Sequence, residues 1–173
     1  MRHDEFIAEE GNAKQPKPKS AAQALQSLMR LAARSEKSSG DALRLMKRWG
    51  VAEGERAGVL KKLVESRFID DQRYAEAYVR EKSRLSGWGA RKIAMQLRTK
   101  GVAQDVIAKA LSEIDGDSQQ QRLQDKLRRK LRTVKAETDF ERRGKLFRYG
   151  LSQGFDYSDV SEAVEAVMRG GEE

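Results

Sequence analysis

The stretch SRLSGWGARKIAMQLRTKGV, residues 83–102, places a short amphipathic segment between glycines and decides the fold. One face of a helix over this segment would carry Ala90, Ile93, Ala94 and Leu97, and the other face Arg91, Lys92, Arg98 and Thr99. Gly87 and Gly89 match neither a dinucleotide-binding fingerprint nor a P-loop, because the third glycine and the Lys-Ser or Lys-Thr pair are missing. The stretch therefore predicts a short helix between glycine turns and excludes a phosphate-binding loop.

The glycine turn that ends this stretch recurs along the chain. WGV at 49–51, KGV at 100–102 and QGF at 153–155 place their glycines 51 and 53 residues apart. Apolar residues follow each turn at matching offsets, nine and twelve positions after its last residue: Leu60, Leu111 and Val164, then Leu63, Ile114 and Val167. A nearly constant period of this length predicts an array of similar helical units.

Each unit is predicted to contain three helices, with the glycine turn between the second and the third. Both prolines, Pro16 and Pro18, lie in a polar N-terminal segment, and apolar residues beyond it recur at helical spacing. We predict an all-α fold: a disordered polar tail over 1–19 and three tandem three-helix repeats over 20–69, 70–116 and 117–169. The short basic helix after a tight turn also has helix-turn-helix character.

Two local patterns are interpreted structurally. Asp70 is placed to cap a helix, with Asp71 in its first turn, and we prefer this interpretation to a metal or acid/base site. In the third unit Phe140, Gly144, Phe147 and Leu151 form a stripe that is typical of a packing face.

Composition limits the function classes. The chain has no cysteine, which excludes thiol chemistry, and its single histidine, His3, has no positioned partner near it in sequence. No apolar run approaches the roughly 18 residues of a membrane span, and the start MRHDEFIAEE does not resemble a signal peptide. We expect a cytoplasmic protein with no membrane contact, no catalytic residue, no metal site and no cofactor.

Positive charge is concentrated in the second and third units. The whole chain has a formal charge of +8, yet residues 73–100 carry a net +6 and residues 122–148 a net +7. Two such windows in successive repeats predict an extended surface for an anionic or mixed-charge partner. The candidate contact residues are Arg91, Lys92, Arg98 and Lys100 in the second unit, and Arg128, Arg129, Arg132, Arg142, Arg143 and Arg148 in the third.

FIDDQRYAEAYVREK at 68–82, GWGARKIAMQLRTKGV at 87–102 and FRYGLSQGF at 147–155 resemble, in order and spacing, signature segments of the RecX family. Members of that family regulate the RecA recombinase. The resemblance covers about residues 20–169 and implies an elongated, curved array of helix-turn-helix repeats. It further implies a monomer that binds in the groove of the RecA filament on single-stranded DNA. There such a protein inhibits ATP hydrolysis, strand exchange and co-protease activity, by blocking filament growth or promoting disassembly, and so regulates recombination, DNA repair and the SOS response.

Two other functions remain open at this point. A helix-turn-helix regulator acting without RecA would bind one duplex site tightly, usually as a dimer, whereas weak binding to single- or double-stranded DNA is expected of a filament modulator. A metal-dependent nuclease would need several converging carboxylates, and the acidic residues here are scattered or lie in capping positions. The threefold repeat argues against the first alternative, because such a regulator needs one reading unit.

Overall fold

The computed structural model describes residues 17–170, and within that range the chain forms helices and no strand. The helices are α1 (Ala21–Arg34), α2 (Ser39–Arg48), α3 (Glu53–Glu65), α4 (Asp71–Arg84), α5 (Ala90–Thr99), α6 (Gln104–Leu111), α7 (Gly116–Leu131), α8 (Asp139–Ser152) and α9 (Tyr157–Arg169). His3 and most of the predicted tail lie outside the described residues.

Side chains cap the starts of α4 and α1. The carboxylate of Asp70 accepts a hydrogen bond from the backbone N–H of Arg73 at 3.0 Å, which confirms the capping interpretation. Ser20 forms a reciprocal capping box with Gln23 at the start of α1. These bonds satisfy amide groups that the first turn of a helix leaves without a partner.

Three hydrophobic cores follow one another along the chain, one for each set of three helices. The first is built from α1, α2 and α3 around Leu28, Met46 and Leu63. The second, from α4, α5 and α6, surrounds Ile93, and the third, from α7, α8 and α9, surrounds Leu146. This arrangement confirms the predicted all-α fold of three-helix repeats.

The predicted glycine turns are present in all three units. Gly50, Gly101 and Gly154 have φ values of +72°, +76° and +89°, in the left-handed region that side chains disfavour. Because the residue after each glycine (Val51, Val102 and Phe155) is buried, each turn directs the chain straight back into the core of its own unit.

Successive units meet where the start of one middle helix lies against the glycine turn of the next unit. At the first junction, the hydroxyl of Ser38, the N-cap of α2, donates to the carbonyl oxygen of Lys100 at 2.6 Å. At the second junction, the backbone N–H of Gly89, the N-cap of α5, donates to the carbonyl oxygen of Gln153 at 2.9 Å. Lys100 and Gln153 are the residues just before Gly101 and Gly154, so the two junctions use equivalent acceptors.

Both junctions are packed too closely for a side chain. A Cβ atom on Gly40 would lie 2.2 Å from the carbonyl oxygen of Lys100 and 2.8 Å from the Cα of Gly101. A Cβ atom on Gly89 would lie 2.3 Å from the carbonyl oxygen of Gly154. Backbone is therefore in contact with backbone at each junction, and the lack of space requires glycine at positions 40 and 89.

At the turn of the first unit, the segment before α1 occupies the place that a middle helix takes at the other two turns. The backbone N–H of Lys19 donates to the carbonyl oxygen of Trp49 at 2.9 Å, and the ammonium of Lys19 lies 3.9 Å from the centre of the Trp49 ring. Pro18 packs against Gly50. Trp49 precedes Gly50 as Lys100 precedes Gly101, so the same acceptor position is satisfied in all three units.

The third unit differs from the others in the length of its middle helix. α8 begins 15 residues before its turn glycine, whereas α2 and α5 begin 11 residues before theirs, a difference of about one helical turn. Phe140 lies in this additional turn and is 87% exposed, and Leu151 is 37% exposed. The prediction that Phe140 and Leu151 belong to a packing face is therefore wrong.

We expect Gly89→Ala to destabilise the protein by about 1–3 kcal/mol, because the added methyl group must push the second junction apart. Gly58→Ala is the matched control: Gly58 is an exposed residue of α3 with open space around its Cα, and alanine there should add roughly 0.5–1 kcal/mol. Urea unfolding followed by circular dichroism measures both changes. Equal effects of the two substitutions would contradict the backbone-to-backbone junction.

Candidate binding surface

The predicted contact residues of the second unit lie at two different junctions. Arg91, Lys92 and Arg98 line a groove of about 790 Å³ between α5 and residues 151–155 of the third unit. We call this the interunit groove. Lys100 does not line it and instead lies at the first junction, where its ammonium is 3.8 Å from the carboxylate of Asp41.

At the first junction Lys100 joins basic residues that sequence reasoning did not select. Lys37, Arg44 and Arg48 line the same surface depression of about 460 Å³, and the guanidinium of Arg44 donates to the carbonyl oxygen of Thr99 at 2.7 Å. These residues were missed because residues 73–100 and 122–148 together carry more net positive charge, +6 and +7, than the +8 of the whole chain, which drew attention away from the first unit. Only the docking of α2 on the α5–α6 turn places them beside Lys100.

The arginines near the end of α7 are exposed and differ in their partners. Arg128 forms an ion pair with Asp125 at 3.0 Å, whereas Arg129 and Arg132 form no ion pair within residues 17–170. Exposed ion pairs contribute little free energy, so Arg128 can exchange its partner at small cost. Within this group, Arg129 and Arg132 therefore carry the positive charges that no carboxylate neutralises in the described residues.

The arginines of α8 lie beside aromatic side chains. Arg142 pairs with Asp139, and Arg143 pairs with Glu165 of α9. Arg143 and Arg148 line a depression of about 490 Å³ together with Phe140, Phe147 and Tyr157. The rings of Phe147 and Tyr157 meet edge to face with their centres 4.7 Å apart, and Tyr157 is 68% exposed.

A group of cations surrounds Trp88 near the second junction. The ammonium of Lys92 lies 4.4 Å from the centre of the Trp88 ring, and the Lys126 side chain packs against Gly87. Burial, followed by the positive charges of Lys92 and Arg129, lowers the pKa of Lys126. The Lys126 ammonium donates to the side-chain oxygen of Gln153 at 3.0 Å, a neutral partner that leaves the positive charge uncompensated.

Trp88 itself is half-buried and packs against the second core. Besides Lys92, the ammonium of Lys82 lies 5.5 Å from the centre of its ring. Cation–π contacts of this kind stabilise the position of the indole ring. Trp88 is therefore part of the cationic surface and of the core at the same time.

The structure thus places the ten predicted residues in four areas: the first junction, the interunit groove, the end of α7 and the face of α8. Residues 17–170 contain no group of three or more acidic or histidine side chains that could hold a metal ion. Within the same range, no helix has the length and apolar character needed to cross a membrane.

Two protein-family models match the chain. The model described as RecX, second three-helix domain, matches residues 70–111, and the model described as RecX, third three-helix domain, matches residues 117–164. Together the matches span 90 of the 173 residues.

Proteins with the name regulatory protein RecX are similar in sequence. The one from Mycolicibacterium smegmatis is 38% identical over 120 residues, covering 65% of this chain and 64% of that protein. The one from Clostridium botulinum strain Eklund 17B is 31% identical over 137 residues, covering 78% and 62%. The one from Mycolicibacterium vanbaalenii is 36% identical over 125 residues, covering 65% and 68%. The chain thus spans slightly less than two thirds of the first two relatives.

Solved structures are similar in fold. The crystal structure of RecX from Lactobacillus salivarius aligns with a TM-score of 0.72, covering 85% of this chain and 96% of that one at 19% identity. A crystal structure of regulatory protein RecX aligns with a TM-score of 0.74, covering 84% and 71% at 26% identity.

We expect Arg129→Gln to raise the pKa of Lys126 towards its ordinary value, because one of the two positive charges that oppose its protonation is removed. At a fixed alkaline pH the fraction of neutral Lys126 amine then falls, and its acylation slows. Peptide mapping after brief treatment with an acylating reagent measures this rate. Arg132→Gln removes the same charge at the end of the same helix and should leave the rate unchanged; an equal slowing in both variants would contradict the cluster.

Proposed function

This chain belongs to the RecX family, and we propose that it regulates the RecA recombinase by binding in the groove of the RecA filament on single-stranded DNA. In this role it suppresses ATP hydrolysis, strand exchange and co-protease activity by blocking filament growth or promoting disassembly. It acts in the cytoplasm by binding alone, without a catalytic step of its own.

The observation that carries the proposal is the presence of basic side chains on successive units of one helical array. Arg98 on the second unit and Arg129, Arg132 and Arg148 on the third are exposed and form no ion pair within the described residues. An array of this kind presents a contact surface that grows with the number of units and suits a long, repetitive partner. A filament with DNA phosphates and protein carboxylates along its groove is such a partner.

The junctions give the proposal a physical mechanism. Backbone contacts at Gly40 and Gly89 fix the spacing of the units, so an array bound across neighbouring filament subunits favours one arrangement of those subunits. If the filament must change its subunit arrangement during ATP hydrolysis, the free energy of binding opposes that change. Inhibition follows without any contact to the nucleotide.

The alternative of a helix-turn-helix regulator acting without RecA is less favoured by the second junction. A reading helix contacts base edges with its N-terminal residues. The N-terminal residues of α5 lie instead against the third unit, where the backbone N–H of Arg91 donates to the carbonyl oxygen of Gly154 at 3.0 Å. α6, the helix after the turn, carries one acidic and one basic residue, Asp105 and Lys109.

The first test is ATP hydrolysis by RecA on single-stranded DNA while this protein is titrated in. We expect inhibition at well below one copy per RecA, because one bound array affects a filament rather than a subunit. If DNA binding were intact and hydrolysis unchanged at every ratio, the regulator acting without RecA would be the better assignment.

A second test uses charge reversal. Arg129→Glu combined with Arg132→Glu should raise the concentration for half-maximal inhibition by about tenfold, because two charge-assisted contacts are replaced by repulsion. The matched control is Lys61→Glu combined with Lys62→Glu on α3, which makes the same change in net charge. Both side chains are exposed and lie outside all four basic areas. Equal losses for the control would show that net charge alone, and not this surface, determines inhibition.

A further inference from the structure

We propose that the interunit groove binds an acidic amphipathic segment of protein, and not nucleic acid. The inference rests on the proposed function, in which the segment belongs to a RecA subunit of the filament. The groove would then be the protein-facing part of a surface whose phosphate-facing part lies at Arg129 and Arg132.

The floor of the groove is aliphatic and open to solvent. Met95 of α5 is 52% exposed and Leu151 of α8 is 37% exposed, and Ala94, Ala108 and Leu111 line the groove between them. Exposed aliphatic side chains gathered in one groove mark a protein contact, because covering them removes apolar surface from water.

Nucleic acid does not fit this floor. Single strands bind by stacking their bases on exposed aromatic rings. Phe155 is the aromatic residue that lines the groove, and it is only 4% exposed because it belongs to the third core. A phosphate backbone laid over Met95 and Leu151 would leave their apolar surface without a matching partner.

The rim of the groove is basic. Arg91, Lys92 and Arg98 line it together with neutral residues, and no carboxylate is among the lining side chains. Asp156 approaches from outside the lining and lies 3.8 Å from Arg91, with both side chains more than half exposed. The occupant must therefore supply apolar side chains for the floor and carboxylates for the rim.

The spacing along α5 defines the occupant further. Arg91, Met95 and Arg98 follow one another at four and three residues, so an apolar side chain lies between two cations on one exposed stripe. A helical segment with an apolar residue between two acidic residues at the same spacing is complementary to this stripe. Because the opposite wall belongs to the third unit, the groove exists only while the second junction is closed.

The experiment compares two affinities for each variant of the full-length protein. Biolayer interferometry measures binding to RecA filaments assembled on immobilised single-stranded DNA, and fluorescence anisotropy measures binding to the same oligonucleotide without RecA. The groove variants are Met95→Asp, Leu151→Asp and the uncharged Met95→Gln. Val64→Asp is the matched control, because Val64 is a 47% exposed apolar residue of α3 outside the groove and the change in charge is the same.

We expect Met95→Asp and Leu151→Asp to weaken filament binding by about tenfold or more relative to Val64→Asp, as for a residue central to an interface, with unchanged oligonucleotide affinity relative to that control. Met95→Gln should weaken filament binding in the same direction without a change in charge. Filament binding equal to that of the control, or a parallel loss of oligonucleotide affinity, would overturn the assignment of the groove. Failure of the unaltered protein to bind filaments would instead refute the proposed function itself, and the assignment of the groove with it.

Discussion

The carbonyl group at the end of each middle helix is the point on which the array depends. A helix leaves its last carbonyl groups without intrahelical partners, and here the partner comes from the start of an earlier segment: Lys19, Ser38 or Gly89. These acceptors are partly buried, so the loss of a partner costs less than the roughly 1–3 kcal/mol of a fully buried one, and each bond favours one arrangement of the units. Ser38 serves at the first junction because its hydroxyl donates the hydrogen bond and caps α2. Gly89 serves at the second junction because there is no space for a side chain.

The three repeats could be predicted from the sequence because the residues that determine them lie close together along the chain. A left-handed turn requires glycine, and three turns at a near-constant period leave few alternatives to a helical array. Which basic residues share a surface could not be predicted from the sequence in this way. Arg98 and Lys100 are two residues apart and were assigned to one surface, yet they lie at different junctions, because the docking of neighbouring units decides which surface each side chain joins.

Charge counted along the chain overstates the charge available to a partner. Arg128, Arg142 and Arg143 each have an acidic neighbour in the folded protein, two of them one helical turn away. Arg129, Arg132 and Arg148 have none within the described residues, and Lys126 has only a neutral amide partner. Among the ten predicted residues, Arg129, Arg132 and Arg148 of the third unit are thus exposed without an ion pair. Arg98 of the second unit is so too, and it lies beside exposed aliphatic surface. The end of α7 and the interunit groove therefore offer chemically different surfaces, one with unpaired cations at Arg129 and Arg132 and one with cations beside apolar side chains.

The contact of Pro18 and Lys19 with Trp49 and Gly50 has a consequence for self-association. Head-to-tail contacts that repeat inside a chain can also repeat between chains, and a heterologous contact of this kind builds open fibres unless an end is closed. The turn of the first unit is already occupied by the chain's own backbone, so a second molecule finds neither a free acceptor at Trp49 nor space beside Gly50. Pro18 and Lys19 thereby close one end of the array to the head-to-tail contact that joins its units.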